Sequence, residues 1–171
     1  MDELFLIDAN SLITPFLSYY PFDFAPSFWS QISDHISNGS IVILDMVKAE
    51  ILKGNDKLRE WIKNQPIATL VNHSNSSIIA AYGQVINYIN ENPCYSSAAV
   101  QEWSRADVAD PWLIAAAMIY KYTIITFEVP SGGLNPKQPS KNPKIPDVSA
   151  HFQVPVQKLY YLMRKLGITL G

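Results

Sequence analysis

Four acidic residues are candidates for chemistry: Asp8, Glu50, Asp110 and Glu128. Asp8 and Glu128 follow apolar runs that are typical of buried parallel strands, Glu50 lies in the helix after another such run, and Asp110 stands at the amino end of the helix that leads to the last one. Because open α/β sheets bind ligands at the carboxyl ends of their strands, we expect these carboxylates to converge at that edge. Like charges held together raise one another's pKa, so such a cluster is favourable only with a cation among its members. Oxygen ligands select Mg²⁺ or Mn²⁺, and a site of this kind supports phosphodiester hydrolysis.

Each of these acids also has a simpler structural explanation. Asp8 could cap the helix that follows it, and Asp110 precedes a proline at a helix start, which predicts an N-cap. A capping carboxylate can still turn one oxygen toward a metal ion. Glu50 and Glu128 could be ordinary solvated residues, since charged side chains are usually exposed.

Three further acids could belong to the cluster or could have a structural role. Asp45 is predicted to cap a helix and not to bind a metal ion. Asp107 lies three residues before Asp110 and competes with it for the same role. Asp147 is a candidate additional acid from a later segment. The sequence therefore leaves the exact membership of the cluster open between these residues.

The elements that must position the acids alternate between strand and helix along the chain. We predict strands at Leu4–Ile7, Ile41–Leu44, Ile67–Val71 and Thr123–Thr126. The predicted helices are Ser11–Tyr19, Ser27–Ser37, a helix capped by Asp45 that runs to Leu52, Leu58–Asn64, Ser76–Asn90, Ser97–Arg105, Trp112–Lys121, a helical turn at Asp147–Phe152, and Pro155–Leu166. This alternation predicts an α/β fold with a parallel sheet covered on both faces. Without a visible linker or repeat, we expect one domain over residues 1–171.

Composition limits the classes of function. Hydrophobic residues make up 48% of the chain and charged residues 16%, which is typical of a globular protein. The net charge of -2 gives no overall basic character, so a nucleic-acid substrate would need a local basic patch or a metal ion. The single cysteine, the acidic start of the chain and the lack of a long apolar run predict a cytoplasmic protein without a signal peptide or membrane span.

The acids lie in segments that resemble the motifs of the PIN-domain (VapC-like) ribonucleases. The segment LIDANSLI is similar to their opening strand, and VKAEI is similar to their second motif, with Glu50 as its acid. The segment ADPWLIAAAMIYKYTIITFE is similar to their third and fourth motifs, with Asp110 at the helix start. The resemblance covers nearly the whole chain. The stretches YYPFDFAPSFW and KIPDV are similar to a PIN-like subgroup of small bacterial and archaeal proteins.

The resemblance implies a Rossmann-like three-layer α/β/α domain with a central parallel sheet of four to five strands. It also implies an endoribonuclease that depends on Mg²⁺ or Mn²⁺, with Asp8, Glu50 and Asp110 as metal ligands. Many members are toxins that a small partner inhibits, and many are dimers. On this basis we expect the toxin of a toxin–antitoxin pair, a small antitoxin partner and a homodimer.

The resemblance further implies supporting roles for two polar residues, and it fails at one acid. Asn10 matches the residue that hydrogen-bonds within the site, and Thr126 matches the hydroxyl near the last acid. The family usually has Asp two residues beyond that hydroxyl, where this chain has Glu128. The fourth acid is therefore either Glu128, which is one methylene longer, or Asp147.

Basic and aromatic side chains are candidates for contact with RNA. Lys137, Lys141 and Lys144 lie in a loop after the fourth strand, and Arg105 lies in the helix leading to Asp110. Because phosphates attract cations, we expect this loop to flank the RNA, although a solvated lysine-rich loop is the simpler explanation. The aromatic residues between Tyr19 and Trp29 could stack on bases, or they could form a satellite core or a partner surface.

Two other classes of function are compatible with an acid after the first strand. A phosphatase of the haloacid-dehalogenase type needs a second Asp where Asn10 stands, and a receiver domain needs a Lys where the late strand gives Glu128. Both match poorly. The other class is a catalytically weak or inactive binding module on the same fold, and the replacement of Asp by Glu128 keeps it open.

Overall fold

The computed structural model describes residues 2–171, and in this range it contains one sheet of five parallel strands. The strands are β1 (Phe5–Ile7), β2 (Ile41–Leu44), β3 (Leu70–Val71), β4 (Thr123–Ile125) and β5 (Val156–Gln157). Their order across the sheet is β3-β2-β1-β4-β5, which places β1 at the centre. Helices flank the sheet, so the predicted α/β fold with a central parallel sheet is confirmed.

The helices fill the connections between these strands. They are α1 (Asn10–Thr14), α2 (Pro26–Ser37), α3 (Asp45–Leu52), α4 (Lys57–Lys63), α5 (Ser76–Glu91), α6 (Ser97–Trp103), α7 (Asp110–Tyr120), α8 (Ile145–His151) and α9 (Leu159–Leu166). A π-helical turn, Pro15–Tyr19, continues α1. Within residues 2–171 no helix is both long and apolar enough to cross a bilayer.

The core forms where the central strands meet the helices. Every residue of β1, β2 and β4 is buried, as expected for strands covered on both faces. In α7 the small side chains Ala115, Ala116 and Ala117 are buried, so the helix backbone can approach its neighbours closely. This helix packs against α5 and β4, and its first residue is Asp110. The core thus fixes the position of one of the predicted site residues.

The structure departs from the predicted elements at three places. The helix predicted over Ser11–Tyr19 widens from Pro15 onward. Pro15 has no N–H to donate to the Ser11 carbonyl, so the α-helical bonding is interrupted there, and the wider turn that follows is closed by the Tyr20 N–H, which donates to the Pro15 carbonyl five residues earlier. The third strand is reduced to Leu70–Val71. The helix predicted from Pro155 begins only at Leu159, because residues 156–157 pair with β4 as a fifth strand.

The predicted capping roles of two acids are wrong. The N-cap of α7 is Ala109, and no side chain accepts a capping hydrogen bond there, so Asp110 is the first helical residue. Likewise α3 begins at Asp45 after the N-cap Leu44. The Asp45 carboxylate accepts a hydrogen bond from the Met46 N–H at 2.8 Å and pairs with Nδ1 of His73 at 2.7 Å.

Candidate active site

The candidate site lies where the strand order of the sheet switches direction. From β1 the chain adds β2 and β3 on one side, and β4 and β5 then extend the sheet on the other. The crevice at the carboxyl ends of β1 and β4 is therefore the switch point where such sheets bind ligands. Ile7 pairs with Ile125, so the next residues of the two strands, Asp8 and Thr126, leave the sheet side by side.

A hydrogen-bond network centred on Thr126 holds Asp8 in place. The buried Thr126 hydroxyl donates to Oδ2 of Asp8 at 2.8 Å. The Thr126 hydroxyl oxygen also accepts hydrogen bonds from Nδ2 of Asn10 at 3.2 Å and from the Glu128 N–H at 3.1 Å. One donated and two accepted bonds use the full hydrogen-bonding capacity of a hydroxyl group. Oδ1 of Asn10 in turn accepts the Phe127 N–H at 3.0 Å. The network ties the ends of β1 and β4 together.

Asp8 is buried although it does not cap the following helix. Only 5% of its surface is exposed, and the N-cap of α1 is Ala9, with no capping bond from a side chain. Burial raises the pKa of the Asp8 carboxyl to about 6; the Thr126 hydrogen bond opposes this rise, and repulsion from Glu128 and Glu50 adds to it. The simpler explanation of Asp8 as a cap is thus wrong, and its carboxylate stands among other acids.

Asp110 belongs to the same electrostatic cluster. Its pKa is raised to about 7, first by burial and then by repulsion from Asp8, Glu128 and Glu50, while Lys144 opposes the rise. The four predicted carboxylates are therefore close enough to act on one another. An apolar surrounding and like charges both disfavour the ionised form, and a bound cation would relieve both effects.

The two glutamates differ in how firmly they are held. Glu50 is exposed on α3, where partial burial raises its pKa and Lys53 lowers it. Oε2 of Glu128 accepts the N–H of Ile145, the first residue of α8, at 2.7 Å. Glu128 thus uses one oxygen to anchor α8, whereas Glu50 is on the surface and able to change its rotamer.

Two adjoining cavities open around Asp110. One, of about 170 Å³, is also lined by Glu128 and Lys144; the other, of about 260 Å³, is also lined by Glu50 and Arg105. Both cavities share Asp110, Val108 and Glu102. Together they place three of the four acids and two of the predicted basic residues along one depression. A larger cavity of about 550 Å³ lies elsewhere, against α5 and α7.

The donor chemistry of the cluster fits a hard divalent cation, but the spacing is not that of a finished metal site. Carboxylate oxygens are the ligands that Mg²⁺ and Mn²⁺ prefer. Within residues 2–171, however, no three side chains of the types Asp, Glu, His and Cys are placed so that they could hold a metal ion. Closure of the acids around a cation therefore requires side-chain movement. Glu50, which is exposed on α3, can supply part of this movement.

The two alternative acids are bound by other partners, although Asp107 also lines the cavity of about 260 Å³. Asp107 forms an ion pair with Arg105 at 2.9 Å, and the hydrogen bond from Arg105 lowers its pKa. Oδ2 of Asp147 accepts from the backbone N–H and the hydroxyl of Ser131, at 3.0 Å and 2.7 Å, and so fastens the loop to α8. Neither acid is among the charges that shift the pKa of Asp8 or Asp110.

Some of the predicted basic residues lie near the acids, and others do not. Lys144 lies beside Asp110, whereas Lys137 and Lys141 are exposed in the part of the loop that is farther from the acids.

Two residues beside the acids were not predicted from the sequence. Glu102 lines both cavities, and Nζ of Lys158 donates to the carbonyls of Phe127 and Glu128. Glu102 carries no local sequence signal, but Lys158 follows β5 directly and would have been noticed if that strand had been predicted.

A protein-family model matches nearly the whole chain. A family model described as Domain of unknown function (DUF4411) matches residues 5–170. No curated protein and no solved structure matches the chain. The matched range runs from the first residue of β1 to beyond α9 and includes all four acids of the cluster.

Proposed function

The chain belongs to the family described as Domain of unknown function (DUF4411), and we propose that it is a metal-dependent endoribonuclease. One observation supports the proposal most strongly. Asp8 and Asp110 are both desolvated at the switch point of the sheet, and the negative charges of Glu50 and Glu128 repel each of them. Such an arrangement costs free energy in the empty site and is favourable with a divalent cation bound. The motif resemblance to PIN-domain ribonucleases agrees with it.

In this proposal Asp8, Glu50 and Asp110 hold Mg²⁺ or Mn²⁺, and Glu128 completes the acid set. When bound, the metal supplies an activated water and neutralises charge on the phosphate. The chain itself supplies orientation, because Asn10 and Thr126 fix the Asp8 carboxylate. Lys144 and Arg105, which line the two cavities, supply positive charge for the RNA backbone.

Titration with Mn²⁺ tests the metal site directly. We expect the wild-type protein to bind Mn²⁺ at millimolar concentration or below and to become more stable by about 1.4 kcal/mol at ten times the dissociation constant. Asp110→Asn should lose most of this binding, because it removes a ligand. Calorimetry and thermal unfolding measure the two effects.

Asp107→Asn is the matched control for that titration. It removes the same charge three residues earlier, at a carboxylate that pairs with Arg105. It should therefore bind Mn²⁺ as the wild type does. Absence of binding in the wild type, or equal loss in both variants, contradicts the proposed site.

A non-enzymatic binding module is the second candidate. It is favoured by the anchoring of α8 through Glu128 and by the lack, in the described range, of a ready-made group of three metal ligands. In that case the acids would bind no metal and the protein would not cleave RNA. The Mn²⁺ titration separates the two candidates before any substrate is known.

We also propose that the enzyme acts as a toxin that a small antitoxin protein restrains, on the strength of the motif resemblance. Expression without a partner should then arrest bacterial growth, whereas expression of Asp8→Asn should not, because the toxicity depends on cleavage. Growth curves after induction at matched protein levels measure this difference. Equal growth of the two strains contradicts the toxin role.

A further inference from the structure

A small apolar pocket lies beside the acids, between the π-helical turn, the end of β4 and the start of α9. Its lining consists of Tyr19, Tyr20, Phe127, Lys158, Leu159 and Tyr160, and its volume is about 200 Å³. Phe127 separates Thr126 from Glu128 in the chain, and its N–H is bound by Asn10. One wall of the pocket is therefore fixed to the hydrogen-bond network that holds Asp8.

The aromatic walls are accessible from solvent. The rings of Tyr19 and Phe127 are inclined by 25° with centroids 6.1 Å apart, and about half of the Tyr19 and Tyr160 surfaces is exposed, at 53% and 54%. The remainder of the aromatic segment mostly points inward: Phe28 and Trp29 are buried. Base stacking is thus excluded for these last two residues and is available at the pocket.

Lys158 adds positive charge at the same place. Its ammonium group donates to the carbonyls of Phe127, at 3.1 Å, and of Glu128. An ammonium group has three N–H donors, so one remains for an anion. The lysine also lines a neighbouring cavity together with Glu128. Flat apolar walls and the ammonium group of Lys158 thus lie next to the acid cluster.

We propose that this pocket binds one unpaired nucleobase of the RNA substrate and that Lys158 contacts a phosphate of the same strand. The inference rests on the proposed nuclease function and specifies its substrate as single-stranded at this position. Aromatic rings stack on any base, and a nucleotide combines a planar ring with an adjacent negative charge. An apolar side chain of a protein partner would use the rings but would leave the lysine without an anion.

The test uses a short single-stranded RNA that carries one 2-aminopurine, whose fluorescence falls when it stacks. Every protein in the series carries Asp8→Asn, so that the RNA stays intact. The parent should quench the fluorescence on binding. Tyr19→Ala and Tyr160→Ala should reduce quenching and weaken binding roughly 5- to 100-fold, whereas Tyr160→Phe should retain both because it keeps the ring. Lys158→Gln should weaken binding and reduce its dependence on salt.

Phe24→Ala is the matched control, since Phe24 is an aromatic residue of the same segment that is 78% exposed and does not line the pocket. It should bind as the parent does. Three results would overturn the proposal that this pocket binds a base: RNA binding without fluorescence quenching, no RNA binding at all, or equal weakening of RNA binding by Tyr19→Ala and Phe24→Ala. Cleavage by the protein with intact Asp8 is assayed separately. Quenching without cleavage would refute the nuclease, and cleavage without quenching would refute the pocket alone.

Discussion

Replacing Asp8 with asparagine is expected to abolish metal-dependent RNA cleavage and to leave the protein folded. Asparagine has nearly the same shape, and its side-chain oxygen can still accept the Thr126 hydroxyl that now donates to Asp8 at 2.8 Å. The substitution removes a negative metal ligand from the centre of the sheet edge. Since the metal contributes several kcal/mol to such a reaction and each 1.36 kcal/mol is a factor of ten, we expect a loss of roughly a thousandfold or more.

The same substitution should stabilise the metal-free protein. Asp8 is buried and repelled by Glu128 and Glu50, so its charge costs free energy at neutral pH. We expect a gain of about 1–3 kcal/mol, or a rise of roughly 2–4 °C in Tm for each kcal/mol, measured by thermal unfolding in EDTA. Asp23→Asn, the same change at an exposed position, should alter neither activity nor stability. A destabilised Asp8→Asn protein would show that Asp8 serves the fold rather than the site.

The interior of the fold could be predicted from the sequence, whereas its edges could not. The strands β1, β2 and β4 are buried throughout and therefore leave continuous apolar runs. The edge strands have two residues each, and parts of them face solvent: Leu70 is 47% exposed, and Gln157 is exposed. Such short, half-exposed strands produce no apolar run. Their formation depends on neighbours that are distant in the chain.

The site was predictable to the extent that it adjoins these buried elements. Asp8 and Thr126 are the residues directly after two paired central strands, so their proximity follows from the topology. The capping prediction for Asp110 failed because a proline can occupy either of the first two helical positions. In this protein Ala109 is the N-cap, and Pro111 stands second in the helix. Glu102 could not be predicted, because only tertiary packing brings α6 to the acids. Lys158 was missed because the two-residue strand β5, which it directly follows, leaves no apolar run in the sequence.

The metal-free protein is expected to lose stability as pH rises from about 4 to about 7. The pKa values of Asp8 and Asp110 are raised from 3.8 to about 6 and about 7, so between these limits the folded state binds more protons than the unfolded state. Stability therefore falls as pH rises through this window, and the full cost is present above about pH 7. For Asp8 the shift corresponds to about 3 kcal/mol.

Urea unfolding in EDTA across this pH range measures the effect, and the double variant Asp8→Asn/Asp110→Asn isolates it. The difference in unfolding free energy between variant and wild type should grow with pH and level off near neutrality. Mn²⁺ should stabilise the wild type more at high pH than at low pH, because protons compete with the metal for the same oxygens. The double variant should not respond to Mn²⁺. Parallel pH profiles for the two proteins would mean that the carboxylates are solvated and do not form a cation site.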